Sequence, residues 1–274
     1  MMTRRRLTLV MAFLMVMVTP AAAQWLQYPT PGVPRDSRGK ANLAAPAPRT
    51  ADGKPDLSGL WQLDASCPPQ GCEGVNHVGD YPVAPEFRNF GARLPNGLPY
   101  QPWAAALVKQ RMEQNGKDDP VTLCRPADVV RLLTFPPPRK VLQVPGLVVI
   151  LSERDVTFRQ IFTDGRPLPK DPEPSFNGYS TGRWVKDALV VETNGLREGW
   201  IDRRGSPLTE AARMTEKFRR VNYGTLEIEV TIDDPKAYTR PFTVTLNQKI
   251  LLDTDLLEYH CNDNEKDRAL LVGK

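Results

Sequence analysis

From Lys140 onward apolar and polar residues alternate. Leu226-Glu227-Ile228-Glu229-Val230-Thr231-Ile232 switches at every step, and so does Phe242-Thr243-Val244-Thr245-Leu246. Successive side chains of a strand point to opposite faces, so such runs read as strands with one buried and one wetted face. Residues 141–144 and 147–151 flank the turn Pro145-Gly146, and 156–162 runs up to Asp164-Gly165. Residues 178–184 and 188–193 flank Lys186-Asp187, and 214–220 and 256–261 complete the set. Eight or nine strands at this spacing predict a mainly β domain, either an antiparallel β-barrel or a sandwich. The barrel is preferred, because closure leaves no exposed edge and a small barrel can hold one ligand.

The segment ahead of the strands has another character. Of the 26 prolines after residue 23, 19 fall in residues 24–145 and seven in 146–274. Proline donates no backbone hydrogen bond and fits poorly in central strands. Residues 24–55 therefore read as a Pro-rich extended arm, either free or wrapped over the core with Trp25, Tyr28 and Trp61 as anchors. Residues 56–274 read as one β-rich domain, irregular or helical over 56–139 and an antiparallel core over 140–274. One amphipathic helix begins at Pro102 and stops at Asn115-Gly116. Trp103, Ala106, Leu107 and Gln110 share its apolar face, with Lys109 and Glu113 on another.

Residues 1–23 change the charge arithmetic. Arg4, Arg5 and Arg6, an apolar run over 7–18 and Ala21-Ala22-Ala23 have the form of a secretory signal, Sec or twin-arginine, cleaved before Gln24. The formal charge of +4 then falls to +1, since 36 basic residues less three leave 33 against 32 acidic ones. The short pairs Arg203-Arg204 and Arg219-Arg220 stand beside Glu198, Asp202, Glu210 and Glu216, so no nucleic-acid stripe is expected. No second run is long and apolar enough to span a bilayer, so the expected product is a soluble periplasmic or secreted protein. Its four cysteines then read as disulfides, with three pairings open. Cys67 and Cys72 flank the turn Pro68-Pro69-Gln70-Gly71, which leaves Cys124 for Cys261. A metal site at Cys67, Cys72 and His77 would lack a second half, and neither metal nor cofactor is expected.

The chain holds no nucleophile elbow, phosphate loop, dinucleotide fingerprint or zincin motif, and only two histidines, His77 and His260. Candidate chemistry comes from polar residues sharing strand faces with apolar ones. Gln160 lies in phase with Val156, Phe158 and Phe162; Glu216 with Met214, Phe218 and Arg220; Glu192 with Ala188 and Val190; Glu258 with His260. Facing a barrel interior, they would be polar points in an apolar pocket. Glu216, His260, Glu258 and Glu192 are the acid–base candidates, since a carboxyl in an apolar pocket tends to hold its proton. Gln160, Arg166, Tyr179, Trp184 and Arg139 are the ligand-binding candidates, with Arg166 as an anion contact and the aromatics as walls. Each has a structural alternative, such as Glu216 paired with Arg139, Arg166 or Arg183.

Several segments together carry a family resemblance. They are Pro55-Asp56-Leu57-Ser58-Gly59-Leu60-Trp61, Arg159-Gln160-Ile161-Phe162-Thr163-Asp164-Gly165-Arg166-Pro167, Gly178-Tyr179-Ser180-Thr181-Gly182-Arg183-Trp184, Thr231-Ile232-Asp233-Asp234-Pro235-Lys236-Ala237-Tyr238 and Glu258-Tyr259-His260-Cys261. The chain resembles a family of uncharacterised exported bacterial proteins, which implies export and no particular activity. The pattern of its C-terminal half is similar to calycin-like barrels, the lipocalins and their relatives, which implies a fold rather than a ligand. Three functions follow. The first is binding of a small apolar or aromatic molecule in a barrel pocket. The second is cofactor-free acid–base catalysis by the pocket carboxylates and His260, as a hydrolase, lyase or isomerase. The third is an envelope interaction module whose arm contacts a protein partner.

Overall fold

The computed structural model describes residues 28–65, 77–78 and 81–261; the proposed signal, Trp25, Cys67 and Cys72 lie outside the described residues. In chain order the elements begin with β1 (Gly59–Leu63), the two-residue strands β2 (His77–Val78) and β3 (Tyr81–Pro82), and the helices α1 (Pro85–Arg88), α2 (Pro102–Glu113) and α3 (Val129–Thr134). Then come β4 (Arg139–Val144), β5 (Leu147–Ser152), β6 (Thr157–Phe162), β7 (Tyr179–Val185) and β8 (Ala188–Asn194). The short pair β9 (Gly199–Trp200) and β10 (Pro207–Leu208) precedes β11 (Arg213–Arg220), β12 (Thr225–Asp233) and β13 (Phe242–Ile250). Nine of these strands close a barrel in the order β1-β13-β12-β11-β8-β7-β6-β5-β4 and back to β1.

A ring of nine strands cannot alternate in direction all the way round, so at least one neighbouring pair must be parallel. Here β6 and β7 are parallel, with Ile161 opposite Ser180 and Phe162 opposite Thr181. A parallel pair needs a long connection. Residues 163–178 supply it, so Asp164-Gly165-Arg166 opens a crossover and is not the hairpin turn its residues suggest.

Eight of the strands are those expected from alternation; the ninth is not. The barrel is closed by β1, which pairs with β13 through Trp61 and Ile250 and with β4 through Trp61 and Arg139. Leu60, Trp61, Gln62 and Leu63 are all buried, so both faces of β1 are covered and no alternation marks it. Residues 256–261, which do alternate, form a strap with the single bridge Arg154–Tyr259. The Lys140 ammonium meets Asp255 at 2.7 Å, the Leu257 N–H donates to Glu153 at 3.0 Å, and Cys261 joins Cys124 through a disulfide.

The inward faces are filled. Val148, Ile150, Ile161, Leu189, Val191, Met214, Phe218, Ile228, Val230, Val244 and Leu246 belong to one buried cluster. At one end the arm crosses the barrel. Arg220 donates to Asp56 O at 2.6 Å, Ser58 O at 3.1 Å and Tyr223 O at 2.7 Å, and its guanidinium lies 4.9 Å over Trp61. Tyr223 and Gly224 donate to Ala45 O and Leu43 O, and a Cβ on Gly224 would stand 2.7 Å from that of Leu43. Arg49 holds Asp187 with two bonds of 3.0 and 3.1 Å. Among the proposed arm anchors, Trp61 is buried within the barrel and Tyr28 is exposed.

Helices cover the other end. In α2 the inward residues are Ala104 and Val108, with Leu107 and Arg111 half-buried, one position away from the expected face. Trp103 is 47% exposed because its indole N–H reaches out to Lys236 O at 2.7 Å, while small Ala104 lets the helix approach closely. Arg139 donates to Leu132 O and to the Gln248 side chain, tying α3 to the barrel wall. At the start of α3 the Asp128 carboxylate accepts from Arg131 N at 2.9 Å. The Arg131 guanidinium is held by Asp119 through two bonds of 2.6 Å.

Burial pushes the Asp128 carboxyl up from 3.8 to about 6, against the opposing pull of the Arg131 N–H and charge. Because the folded pKa lies above the unfolded one, this group's contribution is most favourable below pH 4 and is lost as pH rises through 6. Asp128→Asn keeps an acceptor for Arg131 N without the buried charge. It should stabilise the protein by about 1–3 kcal/mol at pH 7.5 and by much less near pH 4, measured by urea unfolding at both. An equal effect at the two pH values would contradict the assignment.

Candidate functional site at the β6–β7 seam

In β6 the buried side chains are Arg159 and Ile161, while Phe158 and Gln160 face out. That reverses the expected face, and the reason lies across the barrel. Arg159 donates from Nη1 to Glu216 Oε1 at 2.9 Å and from Nη2 to Oε2. Its Nε and Nη2 also reach Ser180 Oγ at 3.2 and 3.1 Å, and Nη2 reaches Thr193 Oγ1 at 2.9 Å. Ser180 and Thr193 share a hydrogen bond of 2.9 Å. The four side chains come from β6, β11, β7 and β8 and satisfy one another inside the barrel. Such a closed network is what permits charge at a core position.

Ladder pairing between β6 and β7 covers two residues of each strand. Beyond it a cleft of about 480 Å³ opens in the barrel wall. Val156, Phe158, Gln160 and Phe162 line one side and Phe176, Asn177 and Tyr179 the other, and the lining reaches inward to Arg159 and Ser180. Asn177 spans the gap, its Nδ2 donating to Phe158 O at 2.9 Å and Thr157 Oγ1 at 3.2 Å. Phe158 is 60% exposed. Phe162 and Tyr179 stack at 5.3 Å, and Arg166 lies 3.9 Å over Phe162 while donating to the Tyr179 hydroxyl at 3.4 Å. Arg166 also pairs with Asp164 at 2.6 Å, which holds that carboxyl below its ordinary range. The corner before β6 is strained, with Asp155 at φ 62° and Val156 at φ 46°. A β-branched residue rarely adopts that conformation.

Of the expected ligand contacts, Gln160 and Tyr179 line this cleft and Arg166 stands at its rim. Trp184 faces a separate cleft of about 440 Å³ at the arm end, beside Lys54 and Gln143. Arg139 is engaged with α3 and Gln248, and among the described residues no carboxylate pairs with it; burial lowers its pKa to about 10. The acid–base candidates do not converge. Glu216 is sealed against Arg159, rather than against Arg139, Arg166 or Arg183. Glu192 projects outward into solvent, opposite Thr215. Glu258 and His260 are exposed on the strap, which is not one of the barrel strands. A pocket enclosed within the barrel was expected; the interior faces instead carry the packed core, and the aromatic cleft lies in the wall.

Alternation missed Arg159, Ser180, Asn177 and Phe176. A usable signal was present for the first: Arg159 and Glu216 are charges of opposite sign, each in phase with apolar residues on its own strand. Segments 159–167 and 178–184, two of those that carry the family resemblance, are the two that pair at this seam. Among the described residues, no helix is long and apolar enough to cross a membrane. In comparisons with known proteins, the chain matches no family model and no curated protein.

Proposed function

We propose that this is an exported protein that binds a small aromatic molecule in the cleft at the β6–β7 seam. The carrying observation is the cleft itself, an opening in an otherwise laddered wall, sized for a ring compound and edged by Phe158, Phe162, Phe176 and Tyr179. The Cys124–Cys261 disulfide supports export, since such bonds persist in oxidising compartments. The resemblance to exported bacterial proteins fits the same picture, because two of the segments that carry it, 159–167 and 178–184, meet at this seam.

N-phenyl-1-naphthylamine, a neutral dye that brightens in apolar sites, tests the reading. Saturable enhancement is expected with the wild-type protein. Phe158→Ser should weaken it by about tenfold, the loss of one aromatic contact. Leu142→Ser, on the outer face of β4, should leave it unchanged. Both side chains are exposed, so neither change should cost much stability. Absence of saturable binding, or an equal effect of the two substitutions, would overturn the proposal.

A further inference from the structure

We infer that the cleft selects aromatic ligands that donate hydrogen bonds, phenols or aryl amines, over ligands bearing a carboxylate or phosphate. The inference rests on the reading of the cleft as a binding site and adds the polarity of what it takes. Two observations carry it: the state of the charges around the cleft, and the state of its polar atoms.

Arg159 in the lining and three arginines around it, Arg154, Arg166 and Arg197, each have a partner. Arg159 is held by Glu216, Arg166 by Asp164, and Arg154 by Asp155 at 3.0 Å. Arg197, outside the lining, lies 5.5 Å over Phe176 and donates to Pro174 O at 3.2 Å. An anion entering toward Arg159, Arg166 or Arg154 would therefore have to displace a carboxylate, and it would meet Asp155 in the wall. The aromatic faces of Phe162 and Phe176 are likewise covered by guanidinium groups. The large apolar surfaces left for a ring are those of Phe158 and Val156.

The polar atoms point the other way. Asp155 Oδ2 and Asn177 Oδ1 are buried and have no hydrogen-bond partner, and both residues line the cleft. Both atoms are acceptors. The orientation of Asn177 is fixed by chemistry, because the end that meets the Phe158 carbonyl must be the amide nitrogen, leaving the oxygen unmatched. A buried acceptor without a donor is unfavourable, and a ligand that supplies the donor recovers that loss. Both oxygens are shielded from solvent, so the wall must yield to admit a donor. The Asp155–Val156 corner, held in the left-handed region, is the strained part of that wall. A ring against Phe158 with hydroxyl or amino groups directed at Asp155 and Asn177 satisfies each unmatched feature at once.

The test uses the whole ¹⁵N-labelled protein and three probes of one ring size: catechol, 1,2-dimethoxybenzene and benzoate. Catechol should shift the amides of Val156, Phe158, Asn177 and Tyr179. Dimethoxybenzene, with the same ring and no donor, should bind there at least about tenfold more weakly, the worth of one hydrogen bond. Benzoate should bind no better than dimethoxybenzene. Asn177→Ala should narrow the catechol preference, and because the readout is a ratio of affinities it survives a modest loss of stability. Dimethoxybenzene or benzoate binding these amides as tightly as catechol would overturn the donor inference and leave the cleft as an aromatic site. If none of the three moves these amides, both readings fall.

Discussion

Replacing Glu216 with Ala should destabilise the protein by about 3–5 kcal/mol, whereas replacing Arg159 and Glu216 together with Met and Leu should cost little or nothing. The asymmetry follows from where the pair sits. Arg159 is 5% exposed and Glu216 is not exposed at all. Without Glu216 the guanidinium keeps only the hydroxyls of Ser180 and Thr193, neither of which carries charge. With both gone, Met and Leu of similar volume extend the apolar cluster of Ile161, Val191 and Met214. Urea unfolding followed by far-UV circular dichroism gives all three stabilities, and a constant m-value keeps the comparison valid. A loss below about 1 kcal/mol for Glu216→Ala would mean that Arg159 finds water through the seam, since it also lines the cleft. The single and double variants thus measure how dry the inner end of the cleft is, a quantity its selectivity for donors depends on.

The same pair marks the boundary of what alternation reveals. Along β11, Met214, Glu216, Phe218 and Arg220 share the inward face as their phase requires, with apolar Met214 and Phe218 marking that face. Along β6 the phase with more apolar residues, Val156, Phe158 and Phe162, is the outer one. Hydropathy counts residues within a strand and cannot see that a charge will be met 57 positions later by its complement. Strand direction is equally invisible, since parallel and antiparallel neighbours alternate alike; the seam and its cleft exist only because one pair in a nine-strand ring runs parallel. β1 escapes because its two faces are both covered, and 256–261 deceives because its alternation belongs to a strap lying on the barrel. Some of the motif segments have purely structural explanations. Asp234 in the Asp233-Asp234-Pro235 turn accepts from Thr209 N, Thr209 Oγ1 and Ala237 N, which fixes the corner between β12 and β13.

Cys124→Ser with Cys261→Ser should lower stability by about 4–5 kcal/mol, by the entropy of the loop the bond closes. The two cysteines are 137 positions apart, so the cross-link removes a large part of the unfolded chain's freedom. Substitution changes these two cysteines alone. The effect should also be local. The strap reaches the disulfide at Cys261, and on the way it places Tyr259 4.8 Å from the Arg154 guanidinium and the Leu257 N–H on Glu153. Arg154 in turn pairs with Asp155, the first residue of the strained corner. Freed from Cys124, the strap's last residues should leave that surface, and hydrogen exchange over 153–157 should quicken more than over β12 and β13. Equal acceleration everywhere would show that the bond acts on the unfolded chain alone; no change in the unfolding midpoint would show that non-covalent contacts suffice to hold the strap. If exchange rises first at the corner, oxidation of one cysteine pair sets the rigidity of the wall behind which the unmatched oxygen of Asp155 lies.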